Sequence, residues 1–264
     1  MKNLMNKRAG RAILFALALI PIAAIGGYFS VRMLLSSLDP SMLEDAISKV
    51  GSKEMVMVVS VIVTVVYALV FGFFGWILSE KTGLARPIRF QKKSLIPVMI
   101  VSLIGGIIFS LDAWTFGRLI PEVGSGYEAT GVFDIGTWIA SVLYGGVIEE
   151  VMMRLFCMSL LVLIGWKLLF RGRLEKEIPV GCFVVANILS ALLFAAGHLP
   201  ATVMTFGELT PLLVFRCFLM NGAFGLIFGR IYRKYGIQYA ILAHMMFHLV
   251  SRTIWLIAFG WYAC

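Results

Sequence analysis

Charge is scarce in this chain. Only 14% of its 264 residues are Asp, Glu, Lys or Arg, whereas soluble domains carry about 25%. Hydrophobic residues make up 60%, against an ordinary share of about 45–50%. That much apolar surface cannot be hidden in one soluble core, which excludes an ordinary soluble enzyme and a disordered chain. Cysteine is sparse as well. Cys157, Cys182, Cys217 and Cys264 form no CxxC pair, and three of them lie inside apolar runs. They read as buried thiols rather than zinc ligands or disulfides, which excludes a disulfide-stapled secreted domain. There is no long-period repeat and no low-complexity segment. Histidine is rare, with three in the whole chain.

What the chain has is long apolar runs. They cover Ala12–Leu35, Met55–Ser79, Leu95–Leu111, Ile135–Phe170, Pro179–His198, Pro211–Arg230 and Ile237–Trp261. At ~20 apolar residues per crossing plus a loop, the length accommodates about seven spans. The expected fold is all-α: a polytopic transmembrane helix bundle of seven spans, or eight. Residues 1–264 read as a single membrane domain. Three N-terminal helices without a motif occupy 1–134, and a motif-bearing helical core occupies 135–264. Pro97, Pro179 and Pro211 are expected in first turns, where a missing N–H costs nothing. Thr210 is the expected N-cap before Pro211, and Gly172, Gly207 and Gly236 fall in connections. The first run is long for a signal-peptide core and lacks a cleavage site, so it reads as a retained helix.

The net charge of +9 reports orientation. With a cytoplasmic N-terminus and seven spans, inside segments hold 16 of the 23 Lys and Arg and outside segments hold 4. Arg154, Arg216 and Arg252 stay within spans. This follows the positive-inside rule, and it argues for a multi-pass protein of a membrane (the cell membrane in a prokaryote) and against a nucleic-acid partner. One run strains the count. Ile135–Phe170 has 36 residues, about 54 Å as a straight helix against a hydrocarbon core of about 30 Å. It is expected to tilt, to break, or to begin with a turn near Gly145–Gly146. The segment Asp112–Asp134, with Pro121, Gly124, Gly126 and Gly131, is the longest outer loop and a candidate lid.

Ionisable groups inside a membrane are costly and usually functional. Here they are Glu149, Glu150 and Arg154 on one helix, Arg216 on another, His198 at a helix end, and His244, His248 and Arg252 on the last. Glu150 and Arg154 are spaced i,i+4 with the acid first, which favours an ion pair. Glu149 is rotated by about 100° from Glu150 and faces elsewhere, so it is the carboxylate free for acid–base work. His244 and His248 share a face. The helix bearing His198 must end early or tilt if His198 is to join them. Arg216 and Arg252 read as structural, through snorkelling or a helix end. Asn221, Gly225 and Gly229 read as a close-packing face.

Three motifs now stand in order. Glu149-Glu150-Val-Met-Met-Arg154 fits EExxxR, Phe194-Ala-Ala-Gly-His198 fits FxxxH, and His244-Met-Met-Phe-His248 fits a third motif that is usually HxxxN. On these residues the chain resembles the CAAX-protease and bacteriocin-processing family, the Rce1-like intramembrane proteases once called Abi proteins. The resemblance implies an intramembrane endopeptidase acting on a membrane-associated or lipidated peptide or protein within or beside the bilayer. It implies that Glu149 and His198 activate water, that His244 and His248 stabilise the oxyanion, and that Glu150 and Arg154 support the site. The second His departs from the usual Asn, and its N–H can still donate in the right tautomer or as imidazolium. The resemblance favours a metal-free mechanism and no cofactor. The alternative is zinc held by Glu149, His198, His244 and His248. Two further readings compete: a non-catalytic scaffold or bacteriocin-immunity protein of the same fold, and a transporter or proton pathway.

Overall fold

The computed structural model describes residues 2–38, 40–129, 134–172 and 174–259. Gly131, Trp261 and Cys264 lie outside them. The described residues are helical, with no strand. The helices are α1 (Lys2–Ala18), α2 (Ile20–Ser37), α3 (Pro40–Val50), α4 (Lys53–Lys81) and α5 (Lys92–Ser110), followed by short α6 (Phe116–Leu119) and α7 (Pro121–Ala129). A long helix, α8, covers residues 135–169. Then come α9 (Val180–Gly197), α10 (Leu199–Phe206), α11 (Pro211–Tyr235) and α12 (Ile237–Phe259).

Among the described residues, six helical stretches are long and apolar enough to cross a membrane: Lys7–Ser36, Lys53–Lys81, Lys92–Leu119, Val180–Phe206, Pro211–Tyr235 and Ile237–Phe259. Each coincides with an expected run. The seventh expected run, now α8, is a continuous helix but is not among the six.

Helix α4 turns its large apolar side chains outward. On α4, Val58, Ile62, Val66, Val70 and Phe74 recur every fourth residue and face outward, while Thr64, Ala68, Gly72, Gly75 and Ser79 are buried. Small residues let helix backbones approach, and the large apolar ones are left for an apolar surrounding. The core runs along α8. Ile148, Val151, Leu155, Met158 and Val162 pack with Phe228 and Tyr232 of α11 and with Ala240 and Ala243 of α12. The Tyr232 hydroxyl lies 2.9 Å from Ser159 Oγ, so its polar end is satisfied.

Starts and stops follow local chemistry. Thr210 accepts from the Leu213 N–H at 3.2 Å and caps α11 ahead of Pro211. Asp134 accepts from the N–H groups of Gly136 and Thr137 and caps α8. Gly236, at φ +105°, turns the chain between α11 and α12, a conformation that L side chains resist. Pro97 departs from expectation. The helix starts at Lys92, a turn earlier than the apolar run, so Pro97 lies inside α5. Charged Lys92 and Lys93 are good helix formers, and the apolar boundary misses them.

Two other stretches take a definite form. Of the outcomes expected for the run at 135–170, neither a break nor an opening turn near Gly145–Gly146 is seen, because residues 135–169 stay helical throughout. The helix widens into π-helical winding over Ala140–Glu149 and again over Val151–Met158. The outer segment is not an irregular loop up to Ala129. It forms α6 and α7, which bury Phe116, Ile120 and Val123 against Leu213 in a small second core.

Candidate active site

The π-wound stretch of α8 carries the first motif. Such winding is rare and is found frequently at functional sites. It is supported from outside, because Ser190 of α9 donates to the Met153 carbonyl at 2.8 Å. Glu149 and Glu150 diverge as their spacing predicts. Glu150 is fully buried, whereas Glu149 is half-buried and lines a cavity of about 590 Å³. Among the described residues Glu149 has no hydrogen-bond or ion-pair partner.

Glu150 meets two partners. Its Oε2 lies 3.5 Å from Arg154 Nε, the expected i,i+4 ion pair. Its Oε1 lies 2.9 Å from His244 Nδ1, a contact that the sequence reading missed because the two residues are 94 apart. The Arg154 guanidinium donates from Nη2 to the Gly225 carbonyl at 3.3 Å and lies 4.7 Å from the Phe194 ring centre. Its Nε and Nη1 have no hydrogen-bond partner among the described residues. The aromatic contacts and the Glu150 charge are therefore what offset burial of this cation.

The histidines converge. His244 stacks on Phe228 at 4.5 Å and on His248 at 4.7 Å, so its plane is set on both sides. α9 stops at Gly197, and α10 restarts at Leu199. The early stop needed to bring His198 in is present. His198 Nδ1 lies 2.8 Å from the Phe194 carbonyl, which only accepts, so Nδ1 carries the proton there. Neutral His198 then has its Nε2 lone pair available. His198, His244 and His248 all line the same cavity as Glu149.

α8 and α12 meet in an antiparallel ladder. Ser141 faces Arg252, with Arg252 Nε donating to Ser141 Oγ at 3.1 Å. Gly145 faces His248, and a Cβ on Gly145 would fall 2.8 Å from His248 Nε2. Glu150 faces His244 one further step along. A Cβ on Gly146 would fall 3.1 Å from the Met245 backbone. The glycine pair is therefore what lets α12 bring its histidines against the carboxylates.

The remaining polar residues separate into packing and site. Asn187 Nδ2 donates to the Leu226 carbonyl at 2.9 Å, and a Cβ on Gly229 would collide with its side-chain oxygen. The close-packing reading of Gly225 and Gly229 is thus correct. Asn221 instead lines the cavity while donating to the Cys217 carbonyl at 3.0 Å. Arg216 also reaches the cavity and pairs with buried Asp112, whose two carboxylate oxygens lie 3.0 and 3.1 Å from its Nε. Tyr127 of α7 donates to the same carboxylate. Asp112 was assigned to an outer loop because it follows the apolar run directly. The signal that could have found it is Arg216, an arginine within a span that needs an acid.

A zinc set was the alternative for Glu149, His198, His244 and His248. No three His, Cys, Asp or Glu side chains among the described residues stand together closely enough to hold an ion. The Nδ1 atoms of His198 and His244 are engaged by the Phe194 carbonyl and Glu150. Each of these two histidines keeps its Nε2 atom for another partner.

Residues 131–250 match the family model described as type II CAAX prenyl endopeptidase, Rce1-like. This is the family that the three motifs resemble, and the match contains all three of them. No curated protein and no solved structure matches the chain.

Proposed function

From an Rce1-like domain over residues 131–250, a protease family of multi-pass membrane proteins, we propose that this protein is an intramembrane endopeptidase. Its substrate is a peptide bond in a membrane-associated or lipidated peptide or protein. The observation that carries the reading is the convergence of Glu149, His198, His244 and His248 on one cavity inside the helix bundle. In this reading Glu149 accepts a proton from water as the water oxygen attacks the scissile carbonyl carbon. The His198 Nε2 lone pair orients that water. His248 donates to the developing oxyanion, as the family's Asn would. His244, with Nδ1–H given to Glu150, joins as a donor only when its Nε2 is also protonated. The C–N bond then breaks, and the proton held by Glu149 passes to the leaving amine. Glu150 and Arg154 are positioning residues that fix the His244 ring. No cofactor takes part in this scheme.

The arrangement supports a catalytic reading over a scaffold, since the motif side chains face one another across a cavity instead of being spent in helix packing. α8 is then a seventh membrane-embedded element, with Glu149, Glu150 and Arg154 turned inward. The N-terminus is placed in the cytoplasm on the distribution of Lys and Arg.

The test is a reconstituted cleavage assay on the purified full chain. Glu149→Ala and His198→Ala are each expected to abolish cleavage and leave membrane insertion unchanged. Full activity in both variants overturns the site. Metal content is measured on the same preparations. Stoichiometric zinc that is lost in His244→Ala would overturn the metal-free scheme.

A further inference from the structure

Not every charge around the cavity has a direct partner. Arg154 faces Glu150 at 3.5 Å, and Arg216 is matched to Asp112 at 3.0 Å. Arg252 also lines the cavity, yet among the described residues no carboxylate lies within ion-pair range of it. Its Nε is fixed by Ser141 Oγ at 3.1 Å, and its Cζ lies 5.8 Å from the Trp255 ring centre. These contacts set the direction of the guanidinium, and the charge of Asp134, at the start of α8, acts on it only from beyond ion-pair distance. A cation inside a membrane protein with no carboxylate in direct contact is expensive to keep. A neutral side chain could hydrogen-bond Ser141 as well, so the charge itself calls for a ligand.

The ladder between α8 and α12 says where that ligand would lie. Arg252, His248 and His244 occupy successive fourth positions of α12, all on the cavity face. Eight residues of regular helix separate His244 from Arg252, about 12 Å at 1.5 Å per residue. An anion at Arg252 therefore sits well away from Glu149, which would repel it at close range. It lies in the same cavity and is in line with the histidines.

We propose that Arg252, aimed by Ser141, is the anion-binding residue of the substrate cleft and takes a carboxylate of the peptide being cut. The carboxylate is either the chain's C-terminus or an acidic side chain. Arg252 offers the planar fork that matches a carboxylate in two parallel hydrogen bonds. It acts in substrate selection and leaves the bond-breaking step to other groups. The inference rests on the reading of this cavity as the peptide-cleaving site.

Three probes separate the outcomes: N-acetyl-trileucine with a free carboxylate, its C-terminal amide, and the amide of N-acetyl-Leu-Glu-Leu. Binding to the purified full chain in detergent is measured by calorimetry, which needs no turnover. At least one acidic probe is expected to bind about tenfold or more tightly than the neutral amide, as a charge-assisted pair implies. Which acid is preferred identifies the source of the carboxylate. The preference is expected to vanish in Arg252→Gln, to return in part in Arg252→Lys, and to persist in Glu149→Gln. Equal binding of all three probes by the unmodified protein, or binding of none, overturns the proposal. Equal binding is also the result if a lipid phosphate occupies Arg252. A preference that survives in Arg252→Gln overturns it too. Because the readout is binding, its failure is distinct from a failure of Glu149→Ala to abolish cleavage.

Discussion

Glu149 and Glu150 are neighbours in sequence with opposite environments. One helical step of about 100° sends the first to a cavity and the second into the core. Their substitutions should differ accordingly. Glu150→Ala leaves the Arg154 cation buried without its acid and frees His244, so a loss of about 3–5 kcal/mol is expected. Glu149→Ala removes a side chain with no partner, and stability should stay within about 1 kcal/mol of the unmodified protein. Thermal unfolding in detergent distinguishes the two, and equal melting temperatures would contradict the division. Both acids were legible as candidates in the sequence, as was the Glu150–Arg154 pair, because i,i+4 contacts are local. The Glu150–His244 bond was not, because it joins residues on different helices.

At the scale of helices, irregularity gathers where the chemistry is placed. α8 is π-wound through the first motif, α9 stops beside the second, and α12 approaches the third motif's neighbours across two glycines. Irregular backbone at membrane depth is tolerated where it borders a cavity or is satisfied by protein. The outer helices α6 and α7 are fastened by the Asp112–Arg216 pair and by Tyr127. Burial and the neighbouring Asp112 charge push the Tyr127 phenol above its ordinary pKa, so it remains a hydrogen-bond donor at any physiological pH. Asp112→Ala leaves Arg216 without its acid and Tyr127 without this acceptor. The expected result is a loss of about 3 kcal/mol or more, with faster amide hydrogen exchange confined to α6 and α7. Exchange unchanged in those two helices would show that the pair does not hold them. Apolar runs located every long helix, but they could not reveal α6 and α7. These short helices are kept in place by a second core and a buried ion pair, neither of which has a local signature.

For the whole molecule, composition and charge distribution make a directional prediction. With the native cysteines removed, Lys49→Cys should react with a membrane-impermeant maleimide applied outside intact cells. Lys176→Cys should react only after the membrane is permeabilised. The reverse pattern would invert the proposed topology and place the 16 bases outside. The outward large apolar residues of α4 and the small residues beneath them fit a lipid surrounding. A soluble bundle would reverse the two sets.

That the chain is a helical membrane protein, where its long apolar helices lie, and which family its three motifs resemble were all readable from the amino-acid order. These are properties of composition, run length and short spacing, which need no knowledge of what packs on what. Which polar groups share a cavity, that His244 answers to Glu150 and Arg216 to Asp112, and that no acid among the described residues pairs directly with Arg252 became visible only with the helices in place. Those facts depend on the register between helices far apart in the chain. That register is set by glycine contacts and π-winding, whose meaning appears only once the neighbouring helix is in place.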